Sequence, residues 1–182
     1  MNCTIDKGLI DRTIAFHGHS CPGLAIGIRV SELALREFKM GTNRPENAKP
    51  MVCVVETDMC AVDAIQYLTD CTFGKGNLIH KDYGKAGFTF FDREEKIGFR
   101  AVFIKKSNKN QDRAGYLNDI MNKDLKELFK IEKTTESPVK PARILQSINC
   151  ENCGEMTMES RIRRFDGRYL CIPCFMENEQ KI

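Results

Sequence analysis

The chain has 182 residues, 42% of them hydrophobic and 29% charged, with a formal net charge of +3. This length suits one ordinary domain and a small second one, the composition excludes a disordered chain, and the weak charge neither demands nor excludes nucleic acid. No apolar run approaches the roughly 18 residues that a bilayer crossing requires, and MNCTIDKGLIDRT lacks a basic segment followed by an apolar core, so the cytoplasm is the expected location.

Residues 6–16 are read as a short helix. FHGHSCPGLAIGIR (16–29) then places His17, His19 and Cys21 at alternate positions before an apolar stretch. Residues 22–38 predict a helix, with Leu24, Ile28, Leu35 and Phe38 near helical spacing and Ala25, Val30 and Ala34 widening the stripe. Pro22 suits its first turn, with Ser20 or Cys21 as the cap. GTNRPENAKP (41–50) reads as a loop. MVCVVET (51–57) is apolar nearly throughout and predicts a central strand. Asp58 is expected to cap a second helix over 59–68, with Ala61, Ala64, Ile65 and Leu68 on one face.

CTFGKGN (71–77) is a glycine-bearing turn. Residues 78–82, 86–92 and 97–104 read as short strands, the last two forming a hairpin around Arg93, Glu94 and Glu95. A polar connector (105–113) leads to an amphipathic helix expected over 114–131, with Leu117, Ile120, Met121, Leu125 and Leu128 inward. Residues 132–147 hold two prolines and read as a linker. The expected organisation is an α+β domain over 1–131, a linker over 132–147 and a small domain over 148–182. The first has the order helix, strand, helix, three strands, helix. There is no internal repeat.

The chain carries nine cysteines. In a reducing compartment, metal ligation or thiol chemistry explains them better than disulfides. Cys150, Cys153, Cys171 and Cys174 form C-x₂-C…C-x₂-C with seventeen residues between the pairs. That spacing lets two tight turns each aim two thiolates at one zinc ion, closing a tetrahedron with no open position, so the site is expected to be structural. Gly154 follows the second thiolate, where such turns need a positive φ. About 35 residues cannot bury a sufficient core, and zinc supplies roughly 10–16 kcal/mol in such sites. Arg161, Arg163, Arg164 and Arg168 suggest nucleic acid, but residues 148–182 hold five basic against six acidic groups. The four thiolates around zinc add about two more negative charges. The arginines are therefore read as a solvated or protein-facing surface.

If 16–21 is extended, His17, His19 and Cys21 project to one side and meet a helix N-terminus, which favours a thiolate. Cys60 stands in the same situation after the central strand, where α/β sheets often place ligands. Two helix starts converging on one cleft would bring imidazole and thiolate ligands together, a donor set suited to Zn²⁺ and other borderline or soft metals. Cys21 is then a metal ligand or a reactive thiolate, and Asp63, one turn after Cys60, can assist. Cys53 is assigned to the core and Cys71 is left open. GKGN (74–77) lacks the phosphate-loop spacing, so Lys75, His80, Asp82 and Lys85 read as a solvated turn.

FHGHSCPGLAIGIR, VETDMCAVDAIQYLTDCTFGKGNLIHKDYGKAGFTF and the four-cysteine tail together resemble the E-subunit family of formylmethanofuran dehydrogenase (FmdE). The resemblance covers nearly the whole chain. It implies an α+β core with a mixed sheet, a zinc-ribbon-like tail, and a homodimer in which that tail is sometimes exchanged. It also implies a cleft lined by His17, His19, Cys21 and Cys60, with Asp58, Asp63, Cys71 and Lys85 as further motif positions, Asp58, Cys71 and Lys85 among them as cofactor-binding residues. The family name derives from a molybdenum- or tungsten-dependent oxidoreductase whose pterin and redox clusters lie on other subunits. This chain has no ferredoxin-like cysteine run.

Three functions follow as expectations. The first is a metal-binding accessory protein serving a molybdenum or tungsten oxidoreductase, or its pterin cofactor. The second is an independent zinc hydrolase built on His17, His19, Cys21 and Cys60, or a thiol enzyme with Cys21 as nucleophile and a histidine as base, with Asp63 assisting. The third, ranked last, is a regulator that binds nucleic acid through the ribbon.

Overall fold

The computed structural model of the protein describes residues 2–40, 51–106, 111–136 and 144–179. The expected loop at 41–50 lies outside these. The chain forms two compact units, Met1–Lys140 and Pro141–Ile182.

In the first unit, α1 (Lys7–His17) and α2 (Pro22–Glu37) precede β1 (Met51–Val55) and α3 (Ala61–Thr69). Then come β2 (Leu78–His80), β3 (Gly87–Asp92), β4 (Ile97–Phe103), α4 (Arg113–Asn122), α5 (Leu125–Leu128) and β5 (Phe129–Thr134). The sheet order is β2-β1-β3-β4-β5. Only the β1–β2 pair is parallel, so the sheet is mixed. The α+β class and the central position of β1 agree with the sequence. All five residues of β1 are buried, and Cys53 sits in the core beside Met51, Val55, Phe88 and Phe90.

Helix α2 is buried through most of its length, polar residues included. Arg29 and Glu32 are each about 1% exposed and pair at 3.1 Å. The Arg29 guanidinium also donates to the carbonyls of Met121 (3.2 Å) and Lys123 (2.6 Å). The Glu32 carboxylate accepts from the Thr4 N–H and hydroxyl. These bonds offset much of the cost of burying the two charges, although the Arg29 Nε has no hydrogen-bond partner among the described residues.

Two expected boundaries require correction. Asp58 does not cap the second helix: α3 begins at Ala61 with Cys60 at the cap position, Asp58 is exposed, and the Met59 N–H bonds to the Thr57 hydroxyl instead. The helix expected over 114–131 stops at Asn122. Arg29 takes up its terminal carbonyls, and a capping box of Asp124 and Glu127 starts the short α5. The chain then becomes β5. Ile120, Met121, Leu125 and Leu128 are nevertheless buried as expected.

In the second unit, β6 (Ser147–Asn149) pairs with β7 (Met156–Met158), and β8 (Ile162–Phe165) pairs with β9 (Arg168–Cys171). Helix α6 (Ile172–Glu179) follows. Its small core is Leu170 with three of the cysteines, packed by Phe165 and Phe175.

Candidate metal centres

Helix α1 does not run on as an extended segment. His17 is its last residue, and Gly18 ends it in the left-handed conformation at φ 89°, its N–H bonded to the Ile14 carbonyl (2.8 Å). His17, His19 and Cys21 therefore do not alternate along a strand, contrary to expectation. A helix end followed by a tight turn brings them together instead. Cys21 caps α2 with its sulfur, accepting the Leu24 N–H at 3.3 Å.

Cys60 reaches the same place because α2 lies unusually close to α3. A Cβ on Gly23 would sit 3.1 Å from the Cys60 Cβ and 3.6 Å from its sulfur. A Cβ on Gly27 would sit 2.3 Å from the Ala61 carbonyl oxygen. Gly23 and Gly27 form one helical stripe, and only glycine permits such an approach. The result is a cluster of His17, His19, Cys21 and Cys60 whose ligand atoms all lie within 4.8 Å of one another.

Asp63 organises this cluster. Its carboxylate bonds the Nδ1 of His17 at 2.7 Å, and the Nε2 of that ring lies 3.9 Å from the Cys21 sulfur. A carboxylate behind one ring nitrogen fixes the other as the ligand-facing atom. The Asp63 bond holds the His17 imidazole above its ordinary pKa, aided by Cys21 and opposed by burial. Burial pushes the Cys21 thiol up, but the Leu24 N–H, the Cys60 thiol and His17 outweigh it, so its pKa falls below the ordinary value. Cys60 is raised, by burial first and then by Cys21. One proton therefore leaves the pair readily and the second does not, unless a cation is supplied. Two imidazoles, two sulfurs and an orienting carboxylate fit a borderline or soft metal ion. Zinc–sulfur and zinc–nitrogen bond lengths set ligand–ligand edges of about 3.5 Å, close to the His17–Cys21 separation. His19 is the exposed member, its ring 4.5 Å from that of His17.

Of the other motif residues, Asp63 stands behind His17, and Cys71 lies apart from the ligands. Cys71 is fully buried and its thiol faces the Met51 carbonyl (3.5 Å). Met51 begins β1, whereas Cys60 lies beyond the opposite end of that strand. Lys85 is exposed, its ammonium 6.0 Å from the Tyr83 ring, and its charge acts on Glu56. Sequence reading missed Glu56 itself. That buried carboxylate is held by two bonds from Arg100, at 2.6 and 2.8 Å. An acidic residue closing an apolar strand was the available signal.

In the ribbon, Cys150, Cys153, Cys171 and Cys174 also place their sulfurs within 4.8 Å of one another. Gly154 has the expected positive φ, 77°. The Cys150 thiol is lowered to about 6, chiefly by backbone N–H groups of Cys153 and Cys171. For Cys153 the Glu155 backbone bond lowers the pKa, but burial and the neighbouring sulfurs prevail and push it up to about 12. Four crowded thiols cannot all ionise without a dication, and zinc supplies one.

A family model described as FmdE, molybdenum formylmethanofuran dehydrogenase operon, matches residues 16–148. The chain belongs to the FmdE family. A second model, the prokaryotic dksA/traR C4-type zinc finger, matches residues 143–180 and spans all four ribbon cysteines. With the sulfur geometry, this makes the tail of this FmdE-family chain a four-cysteine zinc site. The chain is similar to a probable S-adenosyl-L-methionine-binding protein of Archaeoglobus fulgidus, 30% identical over 197 aligned positions. The match covers 91% of this chain and 52% of the relative, so the chain spans about half the length of that curated protein. A solved tungsten formylmethanofuran dehydrogenase FmdE-like protein from Syntrophus aciditrophicus superposes with a TM-score of 0.71 at 22% identity. That superposition covers 99% of this chain and 98% of the other and bears on the fold. Among the described residues, no helix is long and apolar enough to cross a membrane.

Proposed function

We propose that this FmdE-family protein is a metal-binding accessory protein that serves a molybdenum or tungsten oxidoreductase. Its first unit holds an exchangeable metal ion on His17, His19, Cys21 and Cys60, and its zinc ribbon is structural. The observation that carries this reading is the four-ligand cluster with Asp63 seated behind His17. A zinc or similar ion there supplies Lewis acidity, or is itself handed on. Cys21 provides the buried part of the grip, Asp63 positions the half-buried His17, and exposed His19 is the ligand most easily replaced by an incoming group. The family description and the name of the Syntrophus protein support the oxidoreductase link. Affinity capture from native extract with the full chain, compared with a Cys21→Ser/Cys60→Ser variant, tests it. Recovery of a molybdenum or tungsten enzyme by the first and not the second is expected. Capture of none by either contradicts the accessory role. Titration with S-adenosyl-L-methionine in parallel tests for the binding that the archaeal relative's name states of that protein.

One arrangement favours a second reading, a thiol enzyme. Cys21, His17 and Asp63 lie in the order nucleophile, base and orienting carboxylate, with separations of 3.9 and 2.7 Å. In that case Cys21 gives its proton to His17. Thiol-dependent hydrolysis that survives His19→Ala and metal removal would select this reading over the first.

A further inference from the structure

A cavity of about 180 Å³ opens among α1, α2 and α4. Ile14 comes from α1, Leu24 and Ile28 from α2, and Leu117 and Met121 from α4. Cys21 lines the same space, so the cavity adjoins the His/Cys cluster directly. Its polar contributors, Lys7, Asp11 and Ser20, are all exposed and form a rim. The space is open to solvent on one side and apolar on its walls apart from that rim, the arrangement in which a small-molecule site buries a hydrocarbon group and leaves the polar end of the ligand outside.

We propose that this cavity binds the compact apolar group of a small-molecule ligand, a single aromatic ring or a branched alkyl group. The group's point of attachment then lies beside Cys21. The pocket would select by shape which molecules bring a polar end to the cluster, and the rim charges of Lys7 and Asp11 favour ligands whose remainder is polar. The inference concerns the pocket alone and does not depend on a metal being bound.

Fluorobenzene is the probe, followed by ¹⁹F NMR on the full zinc-containing chain. The expected result is saturable 1:1 binding with Kd on the order of 1 mM or tighter, with nuclear Overhauser contacts from the ring to the methyl groups of Leu24 and Met121. Leu117→Phe or Ile14→Phe, which fill the space from different helices, should weaken binding at least tenfold while the thermal transition is retained. Absence of saturable binding to the wild-type protein, or ring contacts elsewhere, overturns the inference, as does unweakened binding by a folded filling variant. Because the wild-type contacts alone are decisive, the inference stays testable even if neither variant folds. Metal content is measured on the same samples. Failed fluorobenzene binding with a metal retained on the first unit removes only this inference, whereas binding without that metal removes only the metal role proposed above.

Discussion

Replacing Gly27 with alanine should separate the two helices that assemble the cluster. The new Cβ would lie 2.3 Å from the Ala61 carbonyl oxygen, 2.7 Å from the Ala61 Cα and 2.8 Å from the Ala64 Cβ. A carbon–oxygen contact needs about 3.3 Å, so α2 and α3 must part by about 1 Å. The obstacle is mainly backbone, which cannot rotate away. Overpacking of this kind costs about 1–3 kcal/mol, against a helix-propensity gain of about 1 kcal/mol for replacing glycine. The net loss is up to about 2 kcal/mol, a fall in Tm of several degrees for a unit of this size. The effect on the site should be larger than that on the fold, because Cys60 adjoins Ala61, and binding constellations tolerate only about 0.5 Å of misplacement. Thermal melting and metal stoichiometry measured together test this. A Gly27→Ala protein with a Tm raised by the propensity gain and with full metal content would refute the close approach as the cause of the cluster.

Three further outcomes follow from the same structure. Asp63→Ala should weaken metal binding at the His/Cys cluster about 10–100-fold, with Asp63→Asn less affected, as read by competitive chelator titration. Arg29→Met leaves Glu32 as an unpaired buried charge and should destabilise the first unit by about 3–5 kcal/mol in denaturant unfolding; Arg29→Met/Glu32→Leu should recover part of that loss. Glu56 is held below the ordinary carboxyl pKa, chiefly by Arg100. Its contribution is therefore present above the unfolded value near 4.3 and disappears as pH falls through the lower folded value. Glu56→Gln should lose about 1.5–3 kcal/mol at neutral pH and progressively less as the solution is acidified below about pH 4.

Much of this protein is legible in its sequence because local signals agree with burial. The apolar run of β1, the stripe on α2 and the paired C-x₂-C motifs each specify their own surroundings. The end of α1 at His17 was not legible, since Gly18 reads equally as a turn residue or as part of an extended segment. Strand β5, FKIEKT, escaped notice because it is an edge strand whose two lysines, one glutamate and Ile131 all remain exposed, so the alternation that marks a half-buried strand is missing. The pairing of Arg29 with Glu32 was hidden too, for charged residues on a helix ordinarily mark its solvent face. Cys60 was recognised as a partner of Cys21 from its place after a central strand. The physical cause of their proximity, the Gly23 and Gly27 stripe, requires knowing which helix lies opposite.

The central claim is that the first unit binds a metal ion of its own. Metal analysis of the full chain carrying Cys153→Ser and Cys174→Ser, which disables the ribbon site, tests it most directly. The expected result is one equivalent retained, reduced to none when His17→Ala and Cys60→Ala are added. A ribbon-disabled protein that binds no metal at any accessible concentration would contradict the claim.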